Sequence, residues 1–538
     1  MNRTKNLKKI LNNFSNKTKW KELIIIASIF CFSMLIRIIG LKHGFPLLTH
    51  PDEAISLYPV LKMTSERWLN PGVFNRPDQI MSYLNLVYLN IISFIQYGED
   101  FAIAFLKHTL NFYFYARILI SFLGSLIPVL AYKIGKELKS GSALIIALVF
   151  TFFPSYTLHS LYITPDIPIT LFTLVVMFFT IRYLNENNRK FIYFATVFAA
   201  INTAEKYPGL ISLGIVFLGI LINNLEHSEL SIKARLFRLI KQVLIMTLVF
   251  IGVLFIVAPF LFIEYKNVID ALLFESRGTH LGADNLGWWG NLSFYIQSFS
   301  SWTNILTVIW VGLGIFTLFK SKDKVGYILF YGVFYSVIMS ALSLHWERWA
   351  LPMYITPLLL TSIGISFTWR QAKRVPKVKY IAIAIICVFF FYQLVFTIYT
   401  PIKMSYIDTR VKALDYCHEH NITTENTIFE GYTPLYPQGP KTIFSDDINN
   451  AKTEQFVILS SGMYERFYNE SERYKNQVKF YENVKKNHKL LAKFEPYPDS
   501  SNCIERLDSI VYYMKDLLNL TNLERYQGPV ILIYQLSN

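Results

Sequence analysis

Charged residues are scarce in this chain. Asp, Glu, Lys and Arg make up 17% of its 538 residues, against about a quarter in soluble domains. Acidic residues are the scarcer kind, 37 against 52 basic ones. Cysteine is nearly absent, at four residues, which excludes a disulfide-stapled scaffold. No internal repeat and no low-complexity tract is visible, so solenoids and biased tails are excluded too.

What is abundant is apolar. Hydrophobic residues reach 53%, and mean hydropathy is +0.34. Residues 23–40 and 381–399 carry little or no charge over roughly the 18–20 residues that a bilayer core requires. Such runs recur down to residue 400 and then stop. The net charge of +15 would suit nucleic acid, but the cations gather in short loops between apolar runs. That is how cytoplasmic loops read, not a nucleic-acid patch. The partners to expect are membrane lipids, with no nucleic acid.

Loop charge orders the spans. With the basic segment before residue 22 in the cytoplasm, a retained first span near 23–40 leads into a first outer loop, 41–112. The run 80–97 inside that loop is apolar enough to cross. A full crossing would place the Lys133–Lys139 loop outside and invert every later loop. Treated as an interfacial or re-entrant helix, it leaves ten further spans near 113–132, 142–161, 167–184, 191–205, 208–223, 242–263, 303–319, 325–344, 349–368 and 379–399. Every inner loop is then basic, as orientation by Lys and Arg demands. The expected fold is a polytopic α-helical membrane protein of about eleven spans, residues 1–401, with a second outer loop at 264–302.

Residues 402–538 are polar. Helix-like stretches at 410–420 and 464–474 alternate with strand-like runs at 426–430, 455–460, 490–494 and 529–535. This predicts a small extracytoplasmic α/β domain. Cys31 and Cys387 lie in apolar spans and read as inert core residues. Cys417 and Cys503 share the polar region, where a disulfide is open but not required.

Sorted by side, the unusual polar residues collect on the outer face. They are Asp52 and Glu53 beyond the first span, Arg76, Arg117, Asp166, Glu205, Lys206, Glu275, Arg277, His280, Asp284, His345 and Arg348. Ionisable residues at membrane boundaries are costly unless paired or solvated, so a one-sided collection points to a site. Each also has a plain structural reading. Arg117 could snorkel, Asp166 could cap its helix, Lys206 could anchor at the interface, and His345 with Arg348 could meet headgroups. Adjacent Asp52 and Glu53 have the weakest such reading. Chemically, a carboxylate serves as general base, while Arg and Lys hold a phosphate as negative charge leaves on it.

Six motifs in order then carry a resemblance. His50-Pro51-Asp52-Glu53-Ala54 resembles the first-outer-loop acidic motif of GT-C glycosyltransferases. It is closest to the protein O-mannosyltransferase-like enzymes and the lipid A aminoarabinose transferases. Asn75-Arg76-Pro77 is similar to their Lys/His-Pro-Pro element, with Arg76 for Lys or His and Asp78 for the second Pro. Arg117 followed by Leu119 to Gly124 resembles their second span, and Tyr162 to Pro168 their outer Asp-Pro motif. Lys206-Tyr207-Pro208-Gly209 resembles Lys-Tyr-Asn-Gly, and His345 to Pro352 their last outer turn. The resemblance covers about residues 20–400, and no oligosaccharyltransferase motif is visible.

The resemblance implies inverting transfer of one sugar from a polyprenyl-phosphate (undecaprenyl or dolichyl) donor to an extracytoplasmic protein, glycolipid or envelope glycan. Asp52 would be the base and Glu53 its orienting partner. Arg76, Arg117, Lys206 and Arg348 would hold the donor phosphate. His50, Asp166, Tyr207, His280 and His345 would shape the sugar and acceptor pocket. No cofactor is required by this chemistry. A divalent metal is left open, because Asp52, Glu53, Asp166 and His345 are hard donors without a metal-diagnostic spacing. The competing reading is a transporter or flippase, which would want midplane ionisable residues or an inverted repeat. The expected location is the plasma or inner membrane, with the site and the C-terminal domain outside.

Overall fold

The long apolar runs become helices, since a chain in contact with lipid must satisfy its backbone internally. The computed structural model describes residues 2–139, 141–226, 231–275, 286–321, 324–435, 455–500, 502–520 and 524–536. Among these residues, seven helices are long and apolar enough to cross a bilayer, or eight if one bent pair counts as a span. Six coincide with expected spans: Thr109–Glu137, Asp166–Glu186, Tyr207–Glu226, Ile232–Val257, Glu347–Ala372 and Lys377–Met404.

The other expected spans have local reasons to differ. The first lies within one 37-residue helix, Asn2–Ile38. The span near 142–161 is divided into Ala143–Thr151 and Pro154–His159. Pro154 cannot donate a backbone hydrogen bond, and it starts the second piece at its first position. Arg189–Glu205 has 17 residues. Gly287–Ser301 and Ile305–Ser321 meet at 111°, with the Asn304 side chain accepting from the Leu306 N–H at the break. Phe330–Ser340 is an 11-residue helix after a 3₁₀ turn.

The run 80–97 is a single unbroken helix, Gln79–Tyr97. Both of its ends lie at one end of the bundle. The Asp78 N–H donates to the Glu205 carbonyl at 2.9 Å, where the Arg189–Glu205 helix ends. Tyr97 packs on His108 and Phe112, where the Thr109–Glu137 helix begins. At the opposite end of that helix, Lys133 and Lys136 pair with Glu22 at 2.9 and 2.6 Å. Gln79–Tyr97 therefore lies along one face. It buries Ser82, Asn85 and Ser93 and turns Val87, Ile91, Phe94 and Ile95 outward.

The bundle core centres on Leu351–Ala372, which is buried along most of its length. It meets Ile305–Ser321 through Gly314 and Gly364. A Cβ at either glycine would collide with the Leu360 or Trp310 carbonyl, a small-residue contact typical of membrane helices. Ile232–Val257 instead exposes Leu244, Leu248 and Ile256, an apolar face suited to lipid. Cys31 and Cys387 are exposed on such faces rather than in the core.

The four expected strand-like runs fall in one sheet. We number the strands β1 (Ile407–Asp408), β2 (Thr427–Phe429), β3 (Phe456–Ser460), β4 (Lys489–Phe494), β5 (Tyr526–Gln527) and β6 (Ile531–Gln535). The sheet order is β2-β3-β6-β4, with β2 and β3 parallel and the other pairs antiparallel, while β1 and β5 form a separate parallel pair. Alternation along the strands separates two apolar layers. Val457, Leu459, Leu532 and Tyr534 pack with Phe467 and Tyr481, whereas Ile458, Ile531 and Ile533 pack with Ala413 and Cys417. Cys417 and Cys503 are both free, so the open disulfide is not formed: Cys417 is held in the second layer while Cys503 opens a separate helix.

Glu430, just past β2, is buried in this domain. Its carboxylate accepts from the Ser460 N–H at 2.7 Å and the Tyr481 hydroxyl at 2.6 Å. Burial nevertheless pushes it up to about 7 from 4.5. Between those pH values the folded domain keeps a proton that the unfolded chain has released. Its contribution is thus full below about 4.5 and falls, by on the order of 3 kcal/mol, as pH rises to about 7. Thermal unfolding of the purified protein should show this slope, and Glu430→Gln should flatten it. A slope unchanged by the substitution would place the titration elsewhere.

Candidate functional site

The helix Pro51–Glu66 explains why adjacent carboxylates have different surroundings. His50 is its N-cap, Pro51 its first residue, and Asp52 and Glu53 lie in its first turn, where the helix dipole favours negative charge. Neighbouring positions on a helix point about 100° apart. Asp52 therefore turns toward an open cavity, and Glu53 turns into the protein.

The cavity has a volume of about 1470 Å³. At its polar end, Arg348 Nη1 lies 2.6 Å from Asp52 Oδ2, and Arg76 Nη1 lies 3.6 Å from the same oxygen. Arg76 also donates to the Asp52 carbonyl and the Ser56 hydroxyl at 2.9 and 3.0 Å, and pairs with Asp78 at 3.1 Å. Lys206 Nζ is 2.5 Å from Asp166 Oδ1, and Arg348 Nε is 3.9 Å from Asp166 Oδ2. Burial pushes the Asp52 carboxyl up, but Arg348 and Arg76 outweigh it and hold the group below its ordinary value. His50 tilts against Tyr162 at 4.3 Å, and burial lowers its basicity.

From this end an apolar arm extends along the membrane helices. It is lined by Leu210, Leu213, Gly214 and Phe217 on one side and by Phe334, Ile338 and Met339 on the other. Lys206 and Tyr207 stand where the arm meets the polar end, with the Tyr207 hydroxyl donating to the Phe74 carbonyl at 2.7 Å.

Asp52, Arg76, Lys206, Arg348, His50 and Tyr207 thus line one cavity. Four other expected residues do not. Arg117, expected to hold phosphate, is fully buried and so is Glu53. The two form paired hydrogen bonds of 2.8 and 2.7 Å, and Arg117 also donates to the Leu41 and His43 carbonyls. Four N–H donors of Arg117 are committed, and neither side chain lines the cavity. Asp166 is 1% exposed and sits behind Lys206 and Arg348, which it orients. His345 packs edge-on against Phe294 at 4.5 Å, away from the cavity. His280 lies outside the described residues, as do Arg277 and Asp284.

Other cavity residues carry no local signal in the sequence. Arg410, Tyr432, Arg466 and Gln527 come from the C-terminal domain. Arg410 is neutralised by Asp408 at 2.8 Å and donates to the Thr49 carbonyl at 2.9 Å. Arg466 lies over the rings of Trp346 and Tyr432 at 5.5 and 5.1 Å. They are charged residues in a charged region, and only the domain's docking brings them to the cavity wall. Trp346 could have been found, because it lies inside the His345–Pro352 motif.

Asp52, Glu53 and Asp166 are each held by Arg or Lys, and among the described residues no three His, Cys, Asp or Glu side chains converge.

No curated protein matches the chain. Among solved structures it is similar to ArnT from Cupriavidus metallidurans, in a crystal structure bound to undecaprenyl phosphate and in one of the apo state. Identity is 11% in both, over 84% of this chain and 95% of the other, with TM-scores of 0.46 and 0.49. Residues 83–273 match the family described as Dolichyl-phosphate-mannose-protein mannosyltransferase, one of the kinships that the ordered motifs indicate, and that segment includes Arg117, Asp166, Lys206 and the first side of the apolar arm.

Proposed function

We propose that the chain is a membrane glycosyltransferase that moves one sugar, with inversion, from a polyprenyl phosphate to an acceptor entering the cavity. The observation that carries this reading is the two-part lining: a cation-rich end with one accessible carboxylate, continuous with an apolar arm between membrane helices. A phosphate joined to a long prenyl chain matches both parts. The matched family's description names a dolichyl-phosphate sugar donor, which is of this class.

In the proposed reaction the prenyl chain lies along Leu213, Gly214 and Phe334. Its phosphate meets Lys206 and Arg348, two of the cations that line the cavity. The acceptor's nucleophile attacks the anomeric carbon from the face opposite the phosphate. The new glycosidic bond forms as the carbon–oxygen bond to phosphate breaks, with its electron pair passing to the phosphate. Asp52 takes the acceptor's proton, and polyprenyl phosphate departs. Asp166 keeps Lys206 and Arg348 in place, and Arg76 steadies Asp52. The acceptor is a protein, a glycolipid or an envelope glycan. Nothing specific in the cavity favours a transporter.

The apolar arm gives a direct test in proteoliposomes supplied with labelled polyprenyl-phosphate sugars. A Cβ at Gly214 would lie 3.4 Å from the Phe334 ring, so Gly214→Leu narrows the arm. The variant should raise KM for long-chain donors at least several-fold and leave short-chain donors little affected. An equal effect on both would remove the arm as the lipid site. No transfer by the wild type from any polyprenyl-phosphate sugar would overturn the reading.

A further inference from the structure

The helix Cys503–Leu517 has a face that the fold leaves uncovered. Its inner side buries Arg506 and Ser509. Its outer side carries Ile504, Leu507, Val511, Met514 and, just past its end, Leu518, exposed by 75, 40, 43, 53 and 66%. The spacing of three and four residues places them in one stripe. Glu505, Asp508, Lys515 and Asp516 are also exposed, beside the stripe rather than within it. A stripe of this kind in water is an aggregation liability unless something covers it.

Its position says what covers it. The helix packs on Pro376–Met404 through Arg506, whose guanidinium lies 3.4 Å from the Phe396 ring and donates to the Tyr392 hydroxyl at 2.7 Å. Tyr392 is twelve residues before the end of that helix at Met404, about 18 Å along the axis at 1.5 Å per residue. Both contacts fall within the expected span 379–399, on the helix Lys377–Met404 that is long and apolar enough to cross a bilayer. The stripe therefore stands on a helix docked against a candidate membrane span.

We propose that Cys503–Leu517 is an interfacial helix whose stripe inserts into the lipid surface at the cavity end, anchoring the C-terminal domain to the membrane. An amphipathic helix lying in the interface plane buries this kind of face among headgroups and upper acyl chains. The anchor is wired to the cavity. Arg525 donates to Ser509 on the helix at 2.7 Å and lies over the rings of Tyr497 and Tyr512. It adjoins β5, whose Gln527 lines the cavity wall. Lipid contact at the helix thus supports the wall that carries Arg410 and Gln527. The inference stands apart from the glycosyltransferase reading and survives its failure.

The test uses full-length protein in which Cys31, Cys387 and Cys503 are replaced by Ser, carrying a bimane label on Val511→Cys or on Asp516→Cys. Each is reconstituted in phosphatidylcholine–phosphatidylglycerol vesicles with and without nitroxide-labelled lipid. The Val511 label should be quenched several-fold more by lipid nitroxide than the Asp516 label, and aqueous iodide should show the reverse order. Equal iodide quenching without lipid quenching would put the stripe in water and overturn the proposal. Protection of Val511 from both quenchers, with cross-linking between copies, would assign it to a second copy and overturn it too. Both positions are exposed, so labelling does not disturb packing, and unchanged elution in detergent confirms folding.

Discussion

Asp52→Asn is expected to reduce transfer by about 10²–10⁴-fold, the usual contribution of a positioned general base, with KM for the donor little changed. The substitution keeps the side chain's size and leaves an oxygen for Arg348, now 2.6 Å away, so the helix start should be undisturbed. What it removes is the proton acceptor. The free enzyme holds Asp52 below the ordinary carboxylate range because Arg348 and Arg76 flank it. A donor phosphate would draw on Arg348 and so make Asp52 a stronger base when substrate is present. The acid limb of kcat should then lie at higher pH than that of kcat/KM, because kcat reports the complex and kcat/KM the free enzyme. Full transfer by Asp52→Asn would remove it as base, and coincident limbs would remove the coupling.

Arg117→Met is expected to damage stability rather than chemistry, by about 3–5 kcal/mol, because it leaves a buried carboxylate without its partner. Glu53 would keep only the Ile163 N–H, at 3.1 Å. Lower yield and a lower thermal midpoint in detergent should follow, and Glu53→Gln combined with Arg117→Met should recover part of the loss. A variant of normal stability that binds donor poorly would return Arg117 to the phosphate site. The pair also fixes the start of the Pro51–Glu66 helix, since Arg117 ties down the Leu41 and His43 carbonyls. Asp52 thus owes its position to a neighbouring pair that is closed off from the cavity.

Much of this was legible locally. Apolar runs marked most of the helices, while the break at Pro154 inside the expected span 142–161 went unread. The strand-like runs near 426, 455, 490 and 529 fell on β2, β3, β4 and β6 because alternation along a strand is a local property. The gathering of Asp52, Arg76, Lys206 and Arg348 followed from ordered motifs and loop charge. The division between Asp52 and Glu53 was not legible, because it depends on how one helix is rotated against Arg117, 64 residues away. Nor was the burial of Asp166 and His345, which are set by what packs over them. Gln79–Tyr97 is long and apolar enough to cross, and only contacts at both of its ends show that it lies along one face.

Composition and spacing were enough for the class of molecule: an apolar, basic-looped chain that folds as long helices, with charged residues gathered at one end and a polar region after residue 401. Those properties follow from composition and short-range spacing, where each residue's transfer free energy and propensity act locally. Tertiary structure alone decided which charges are available. Pairing within a buried bundle consumed Glu53 and Arg117 and left Asp52, Lys206 and Arg348 beside open space. It also carried Arg410, 361 residues from Thr49, and Arg466 to the same cavity, because docking depends on surfaces that exist only once both parts have folded.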